Sequence, residues 1–260
     1  MSEPKRTQKK ILRKMLYLKD QKGILNRYFR EPEGWQKHID RCHDFIIRDL
    51  RERRPGRITV LGSGWLLDFP LEEALELAGQ ITLIDIVHPA QVVAKVKKLE
   101  RVDLVELDIT GSLIRQVYDS VRSSVSIKEK VSLTEFNFRP GMEFPEEDFL
   151  VSLNVLTQLD ILLVDYITEY WDYSESELNE FRKQIQSAHM DLLNPRKGIL
   201  LTDFMEKQFD ESGKKITERS LVHVPLPSSR NSENWTWEFD TEGRYIEGMR
   251  VELEVQAMSF

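Results

Sequence analysis

The chain has 260 residues, of which 40% are hydrophobic and 31% are charged, and its formal net charge is −7. This length suits one large α/β domain with a small extension. The sequence has neither an apolar run long enough to span a membrane nor an N-terminal signal-peptide pattern, so we expect a cytoplasmic protein without membrane contact. Cys42 is the only cysteine, which excludes an intrachain disulfide and leaves a metal at most one sulfur ligand.

Positive charge is concentrated in residues 1–57, which hold 17 Lys and Arg against 8 Asp and Glu. The rest of the chain is correspondingly acidic. A basic segment of this kind can bind nucleic acid, but it can equally dock against the acidic part of its own domain or face solvent. Because no RNA-binding pattern of interleaved aromatic and basic residues is present, we favour the second interpretation.

Two helices are predicted before the main domain. Apolar residues recur at helical spacing within 9–18 and again within 34–53. The second helix carries positive charge at its C-terminal end and stops before "PG" at 55–56. We therefore divide the chain into an N-terminal helical extension, residues 1–54, which is a candidate lid, and a main domain, residues 55–260.

Five apolar segments of the main domain are predicted to be strands of a parallel sheet. Their successive apolar residues are typical of strands that are buried on both faces and joined by right-handed helical crossovers. The segments are 57–62, 81–86, 102–108, 148–154 and 198–204, and a longer helical crossover is predicted over 158–193.

The end of the chain has a different pattern. The segments "NWTWEFD" and "MRVELEVQAMSF" are aromatic or alternating, and the connection between them is too short for a helical crossover. We therefore predict an antiparallel hairpin. Two stretches rich in Ser, Pro and charge, 120–147 and 205–233, are predicted to form loops or short elements at the rim of the domain.

A glycine pair follows the first predicted strand in "ITVLGSGWLLDF", residues 58–69. Gly62 and Gly64 can adopt backbone angles that other residues avoid, and they let a ligand approach the amides of the loop. In an open parallel sheet, ligands bind at this end of the strands. A tight turn without a ligand has the same pattern, so the pair needs support from elsewhere in the sequence.

Two carboxylates provide that support. Asp85 ends the second predicted strand 21 residues after Gly64, which is the spacing at which an acidic side chain reaches ribose hydroxyls. Asp108 ends the third predicted strand, and an ionised carboxylate there suits hydroxyls or an exocyclic amine. Either residue could instead only cap the helix that follows it.

Together these segments resemble the class I S-adenosylmethionine-dependent methyltransferases. The resemblance covers roughly residues 55–260 and rests on "VLGSGW", "LIDIVHP", "ELDITG", "SLNVLTQL", "ILLTDF" and the terminal hairpin. It implies a Rossmann-like α/β fold, with a mostly parallel seven-stranded sheet, an antiparallel C-terminal hairpin and helices on both faces. Where the family has an acidic residue and a third glycine in the first loop, this chain has Val60 and Leu66.

The resemblance also implies that the cofactor is S-adenosylmethionine. In the family's arrangement, Gly62, Ser63 and Gly64 pass beside the methionine part of the cofactor. Asp85 is then expected to bind the ribose hydroxyls.

The remaining cofactor residues implied by the resemblance follow the third and fourth strands. Asp108 is expected to face the adenine amine, with Ile109 against the ring and Asn154 beside the methyl donor. Amino-methylating members of the family carry an Asn-Pro-Pro-aromatic run where this chain has "NVLT", so we expect a small-molecule acceptor rather than an amide or an adenine amine. Positioning of two reactants can supply much of the acceleration, so no catalytic base is assigned.

Two other functions stay open at this point. A nicotinamide-dependent oxidoreductase also fits a glycine loop followed by an acidic residue, although Asp108 and the closing hairpin argue against it. A non-catalytic binding or scaffold member of the fold is suggested by Val60 and Leu66. The oligomeric state is not predicted.

Several other residues are better explained by packing. His38 and Cys42 are four residues apart and could share a metal, but no second cluster completes a site, so no metal is predicted. His88 follows Asp85 closely and could act as a base, although a loop histidine without a catalytic role fits its position as well. The tryptophans at 35, 235 and 237 could line a substrate pocket or stack on a base, but packing in the core or a lid is the favoured interpretation.

Overall fold

The computed structural model describes residues 3–139, 143–194 and 196–260, and these residues form one eight-stranded sheet with helices around it. The strands are β1 (Arg57–Leu61), β2 (Gln80–Asp85), β3 (Val102–Glu106), β4 (Phe149–Leu153), β5 (Gly198–Phe209), β6 (Lys215–Ser220), β7 (Asn231–Asp240) and β8 (Arg250–Ser259). The helices are α1 (Glu3–Lys14), α2 (Tyr17–Arg30), α3 (Pro32–Arg53), α4 (Leu71–Leu77), α5 (Ala90–Val96), α6 (Leu113–Ile127), α7 (Gln158–Thr168) and α8 (Glu175–Leu193).

The strand order is β3-β2-β1-β4-β5-β8-β7, and β6 pairs with β5 outside this path. The first five strands of the order are parallel, whereas β8 is antiparallel to both β5 and β7. The chain moves outward from β1 to β3 and then returns to place β4 on the other side of β1. The order therefore reverses at β1, which creates a crevice beyond the carboxyl ends of β1 and β4.

Alternate residues of the central strands are buried against different helices. On β4, Phe149, Val151 and Leu153 join a core cluster with residues of α3, α4 and α5, whereas Leu150 joins a second cluster with Leu192 and Leu193 of α8. Both faces of the sheet are thus covered, which explains the unbroken apolar runs in the sequence.

The N-terminal helices pack in two places. Ile11 and Leu12 of α1, and Met15 in the turn after it, are buried in a cluster with residues of α6 and α7. On α3, Phe45 and Ile46 are buried in the same core cluster as the central strands. The basic residues of α1 from Lys9 to Lys14 remain exposed, since the apolar stripe takes up the packed face.

The predicted α/β fold class is confirmed, including the parallel core and the antiparallel C-terminal hairpin. The prediction of seven strands was short by one, because β5 continues to Phe209 and pairs with β6 inside a stretch that was expected to be rim loops. Oppositely charged neighbours on this extension, Lys207 with Glu254 and Arg219 with Glu206, stabilise a strand that has few apolar residues.

Two further element boundaries differ from prediction. Strand β3 ends at Glu106, so Asp108 lies in the following loop rather than in the strand. The first predicted helix is divided at Leu16, whose φ of 64° ends α1 and lets α2 begin, and α2 was not predicted at all. Residues 140–142 of the predicted rim segment lie outside the described part of the chain.

The long crossover between β4 and β5 forms two helices, α7 and α8. The second begins with a capping box, in which the Ser174 hydroxyl accepts from the Glu177 amide and the Glu177 carboxylate accepts from the Ser174 amide. Over the described residues, no helix combines the length and the apolar composition that a membrane span requires.

Candidate functional site

A cavity of about 530 Å³ lies at the carboxyl ends of the parallel strands, beside the point where the strand order reverses. Its volume falls within the range of small-molecule and cofactor sites. All seven residues predicted to contact a cofactor line it. They are Gly62, Ser63, Gly64, Asp85, Asp108, Ile109 and Asn154.

The glycine loop after β1 requires its glycines for backbone reasons. Gly62 has a φ of 79°, and a Cβ there would lie 2.8 Å from the Leu153 carbonyl oxygen, which is closer than real Cβ atoms come. Gly64 has a φ of 46°, but the nearest atom to its Cβ position is 4.0 Å away, so its open side faces free space. The loop therefore packs tightly against β4 at Gly62 and leaves room for a ligand at Gly64.

The end of β2 is joined to this loop by hydrogen bonds. The amides of Gly62 and Ser63 donate to the Ile84 carbonyl, at 2.9 and 3.2 Å. The amide of Gly64 donates to Asp85 Oδ2 at 2.7 Å, and that of Val87 donates to Asp85 Oδ1 at 3.4 Å. Burial raises the pKa of Asp85, and the Gly64 hydrogen bond partly offsets this rise. Each carboxylate oxygen has a further lone pair with which to accept a ligand hydroxyl.

The carboxylate of Asp108 already accepts several hydrogen bonds from residues that follow it closely in the chain. Its carboxylate accepts from the Thr110 amide at 3.0 Å, from the Thr110 hydroxyl, and from the Ile114 amide at 3.4 Å. The capping role that the sequence left open is thus present, because these donors include the first turn of α6. Burial raises the pKa of this carboxyl and the Thr110 hydrogen bonds oppose the rise. A contact of Asp108 with adenine stays a prediction.

Asn154, just after β4, belongs to a polar cluster that sequence reasoning did not foresee. Its φ of 47° is tolerated better by asparagine than by most other residues, and its amide donates to the Leu201 carbonyl at 2.8 Å. Its side-chain Nδ2 donates to Asp68 Oδ2 at 3.0 Å, and Asp68 Oδ1 lies 3.5 Å from His38 Nε2. Both Asp68 and Asn154 line the cavity.

The pair of His38 and Cys42 is part of the core beside this cluster. His38, Cys42 and Asp68 have potential ligand atoms within 4.8 Å of one another. However, the Trp235 indole N–H donates to His38 Nδ1 at 3.1 Å, so a neutral imidazole keeps its hydrogen on Nε2 and has no lone pair there for a metal. Burial raises the pKa of the Cys42 thiol well above its usual value, which keeps it protonated. The absence of a metal stays a prediction.

The far end of the cavity is lined by carboxylates and aromatic rings. Asp160 is buried, and desolvation raises its pKa to about 6 although Gln186 and Arg182 oppose the rise. Asp203 accepts from the Thr157 hydroxyl at 2.5 Å, and burial raises its pKa too. This end of the cavity therefore holds carboxyl groups that gain a proton more readily than ordinary ones.

Strand β7 supplies aromatic rings to the cavity wall. Trp237 and Phe239 line the cavity, and the rings pack edge to face at 5.0 Å. The Arg27 guanidinium of α2 lies over the Phe239 ring at 4.9 Å and over the Tyr245 ring at 5.3 Å. The hairpin at the end of the chain thus forms part of the wall as well as the edge of the sheet.

Helix α2 closes the cavity from the N-terminal side. Tyr17, Gln21 and Arg27 line it. The Trp65 indole N–H donates to the Gln21 carbonyl at 2.6 Å, and Gln21 Nε2 donates to the Val87 carbonyl at 2.7 Å. The helix is therefore fastened to the loops that follow both β1 and β2.

Two other residues singled out in the sequence, His88 and Trp35, are buried and contact backbone carbonyls. His88 is buried, its Nε2 lies 3.2 Å from the Val105 carbonyl, and it does not line the cavity. Trp35 is buried and its indole N–H donates to the Phe239 carbonyl at 3.1 Å. Sequence reasoning missed Asp68, Asp160 and Gln21 as cavity residues. The one available signal was that Asp68 falls in the same short segment as the glycine pair.

Comparison with known proteins gives distant structural similarity alone. No protein-family model and no curated protein matches the chain. It is similar to the N-methyltransferase NodS from Bradyrhizobium japonicum WM9, solved in complex with S-adenosyl-L-homocysteine, at 10% identity and a TM-score of 0.35 over 82% of this chain and 83% of that one. It is also similar to the DhpI-SAH complex, at 11% identity and a TM-score of 0.34 over 92% and 96% of the two chains. At this level of similarity, the activity of neither protein transfers to this chain. By its own strand order and terminal hairpin, the chain has an α/β fold with a mostly parallel sheet that is completed by antiparallel C-terminal strands.

Proposed function

We propose that the protein is an S-adenosylmethionine-dependent methyltransferase that acts on a small-molecule acceptor. The observation that carries this proposal is the meeting of Gly62, Gly64, Asp85 and Asn154 along one side of a cavity at the reversal point of the sheet. These residues lie at the ends of three different parallel strands. They are distant in the sequence, and the fold brings them together. The other end of the cavity supplies space for an acceptor.

The residues present fit the proposed cofactor. Asp85 has acceptor capacity left after its hydrogen bonds to Gly64 and Val87, which suits ribose hydroxyls. Ser63 Oγ is buried at the cavity wall and has no hydrogen-bond partner among the described residues, so it is free to meet a polar ligand. Ile109 offers an apolar surface for a flat ring beside the loop of Asp108.

When bound, S-adenosylmethionine supplies a methyl group on a positively charged sulfur. The work of this chain is then to align an acceptor atom with that carbon and to exclude water, which can account for about 7 to 11 kcal/mol of a barrier in favourable cases. Asp160 and Asp203 are placed to receive the proton that a hydroxyl or amine acceptor loses. Their raised pKa values suit this role, because a carboxylate with a higher pKa is a stronger base.

We propose that residues 1–54 act as a helical extension with α2 as the cover of the site, and that residues 55–260 form the methyltransferase domain. Tyr17, Gln21 and Arg27 support this role for α2, since they line the cavity. Helix α3 differs from a detachable lid because Phe45 and Ile46 pack in the core of the sheet. Ile11 and Leu12 of α1 are likewise buried in a core cluster, whereas α2 has no buried residue, so we assign the covering role to α2 alone.

The nicotinamide-dependent alternative fits the sheet less well. A dinucleotide-binding sheet continues in parallel to a sixth strand, with the order 3-2-1-4-5-6. Here the position next to β5 is taken by the antiparallel β8, and the wall beyond it is aromatic. Val60 and Leu66 suggested a non-catalytic protein of the same fold. A ligand titration distinguishes this alternative from the proposed enzyme.

Calorimetric titration of S-adenosylmethionine, S-adenosylhomocysteine and NAD tests the proposal. We expect the two sulfur compounds to bind and NAD not to bind. Asp85→Ala should weaken their binding by roughly 10- to 100-fold, because it removes charge-assisted hydrogen bonds to the ribose. Asp44→Ala, a change on the exposed surface of α3, is the matched control and should leave binding unchanged.

Two results would contradict the proposal. Binding of NAD without either sulfur compound at millimolar concentration would support the oxidoreductase. Binding of none of the three would support the non-catalytic alternative.

A further inference from the structure

The carboxylate that the family has before its glycine loop has no counterpart at Val60. That side chain is fully buried in the core cluster that also contains residues of α3, on a face of the sheet away from the cavity. It does not line the cavity. Eight residues later, Asp68 does line it, beside Asn154. A carboxylate therefore reaches the cavity from a different position in the same segment.

Asp68 is held in its ionised form. Burial by itself would raise its pKa, but the neighbouring imidazole of His38 and the hydrogen bond from Asn154 lower the pKa below its usual value. At neutral pH the side chain thus presents a negative charge to the cavity. It is unlike Asp85, Asp160 and Asp203 in this respect, because burial raises the pKa of each of those three carboxyls.

The orientation of Asp68 is fixed by a chain of aromatic residues. Trp235 donates its indole N–H to His38 Nδ1 at 3.1 Å, which leaves the hydrogen of a neutral imidazole on Nε2, the nitrogen 3.5 Å from Asp68 Oδ1. Trp237 stacks on the same imidazole, with the ring centroids 3.9 Å apart and an interplanar angle of 6°. His38 and the two tryptophans are positioning residues for the carboxylate.

Two buried acceptor oxygens at this place are poorly satisfied by the described residues. Asn154 Oδ1 has no hydrogen-bond donor there, and for Asp68 Oδ1 the 3.5 Å contact with His38 Nε2 is too long for a good hydrogen bond. Leaving such atoms without a donor costs free energy, so a ligand that supplies hydrogens is favoured there. An ammonium group has three N–H donors and one positive charge, and it therefore matches a carboxylate and an amide oxygen that lie side by side.

We propose that Asp68, with Asn154, binds the α-ammonium group of S-adenosylmethionine and takes over the role of the carboxylate that is missing at Val60. This inference rests on the proposed function. Asp68 is consequently a determinant of affinity for cofactors that carry an amino-acid part. It has no role in binding the nucleoside part.

A comparison of two ligands tests the assignment. S-adenosylhomocysteine carries the ammonium group, whereas 5′-methylthioadenosine lacks the amino-acid part. Calorimetry should show that Asp68→Asn weakens the binding of S-adenosylhomocysteine roughly 10- to 100-fold. The affinity for 5′-methylthioadenosine should change less than twofold. Asp68→Glu should restore part of the lost affinity because it keeps the charge, and Asp44→Asn is the surface control.

A second arm needs only the wild-type protein. The desamino analogue of S-adenosylhomocysteine should bind roughly 10- to 100-fold more weakly than the parent compound, and this difference should disappear in Asp68→Asn. If Asp68→Asn does not fold, equal binding of the parent and the desamino analogue to the wild type overturns the inference.

The remaining outcomes are also decisive. If Asp68→Asn weakens the binding of both nucleosides equally, Asp68 has a merely structural role and the assignment is overturned. The assignment is also overturned if the variant weakens the binding of neither nucleoside. Failure of the wild type to bind any of these ligands would instead reject the proposed function, and the inference with it.

Discussion

Leu66 adopts a backbone conformation that favours glycine. Its φ is 59°, and it stands where the family has its third glycine. A left-handed conformation costs a residue with a side chain about 1–2 kcal/mol, and this cost is met here by packing of the leucine against the core. The loop thus keeps a glycine-type backbone at this position without glycine, and Leu66 is weaker evidence for a lost site than its identity suggests.

The positions of residues at the strand ends were predictable from the sequence, whereas the tertiary contacts between side chains were not. The spacing from Gly64 to Asp85 was sufficient to place both at one cavity. By contrast, nothing in the sequence showed that Asp68 would meet His38 and Asn154, since those contacts join residues 30 and 86 positions away. Asp108 accepts a hydrogen bond from Thr110 as part of its capping role. Both residues were visible in the sequence, but the sequence did not decide between capping and ligand binding.

Asp160 makes stability depend on pH. Its pKa in the folded protein is about 6, above the usual value of 3.8, so the folded state holds this proton more tightly than the unfolded state. Ionisation of this group as pH rises from about 4 to 6 therefore lowers the free energy of unfolding. Asp160→Asn removes that effect. The free energy of unfolding of the variant minus that of the wild type should therefore increase by about 1–3 kcal/mol from pH 4 to pH 7.

Urea unfolding at pH 4, 5, 6 and 7 measures this difference. Asp44→Asn, on an exposed surface, should show no comparable gain across the range. If the stability of Asp160→Asn relative to the wild type is the same at pH 4 and pH 7, the raised pKa is wrong.

At the scale of elements, sequence periodicity identified the buried strands and the helices that cover them. The pattern worked where a strand is buried on both faces, as in β1, β2 and β4, because apolar residues then occupy neighbouring positions rather than alternate ones. It failed on the outer half of β5 and on β6, whose pairing depends on charged neighbours across strands. It also missed α2, in which no residue is buried.

Helix α2 should respond to both a ligand and the loss of one hydrogen bond. Gln21 Nε2 donates to the Val87 carbonyl at 2.7 Å, so Gln21→Ala removes one of the two hydrogen bonds that fasten the helix to the strand-end loops. A hydrogen bond contributes about 1 kcal/mol, so local opening and amide exchange across 17–30 should increase roughly fivefold. S-adenosylhomocysteine should slow exchange of the same amides in the wild type.

Hydrogen exchange followed by mass spectrometry resolves these segments. Gln36→Ala breaks a comparable hydrogen bond to Asp40 on the exposed face of α3 and should leave exchange in α2 unchanged. Exchange in α2 that is insensitive to both Gln21→Ala and the ligand would contradict its role as a cover.

At the scale of the whole molecule, one topological feature organises the rest. The reversal of strand order at β1 brings the loops after β1, β2 and β4 to one crevice, and the antiparallel β7 supplies aromatic rings to its wall. The glycine loop and Asp85 line the same cavity as Asp160 and Asp203. A cavity that combines a backbone loop, carboxylates and aromatic rings suits a reaction between a cofactor and an acceptor.

The most direct test of this account is a crystal structure of the protein grown with S-adenosylhomocysteine. The account predicts the ribose hydroxyls at Asp85, the adenine beside Ile109 and the amino group between Asp68 and Asn154. The sulfur should point toward the end of the cavity that holds Asp160. Density for the ligand elsewhere on the protein, or in this cavity with the amino group away from Asp68 and the ribose away from Asp85, would contradict it.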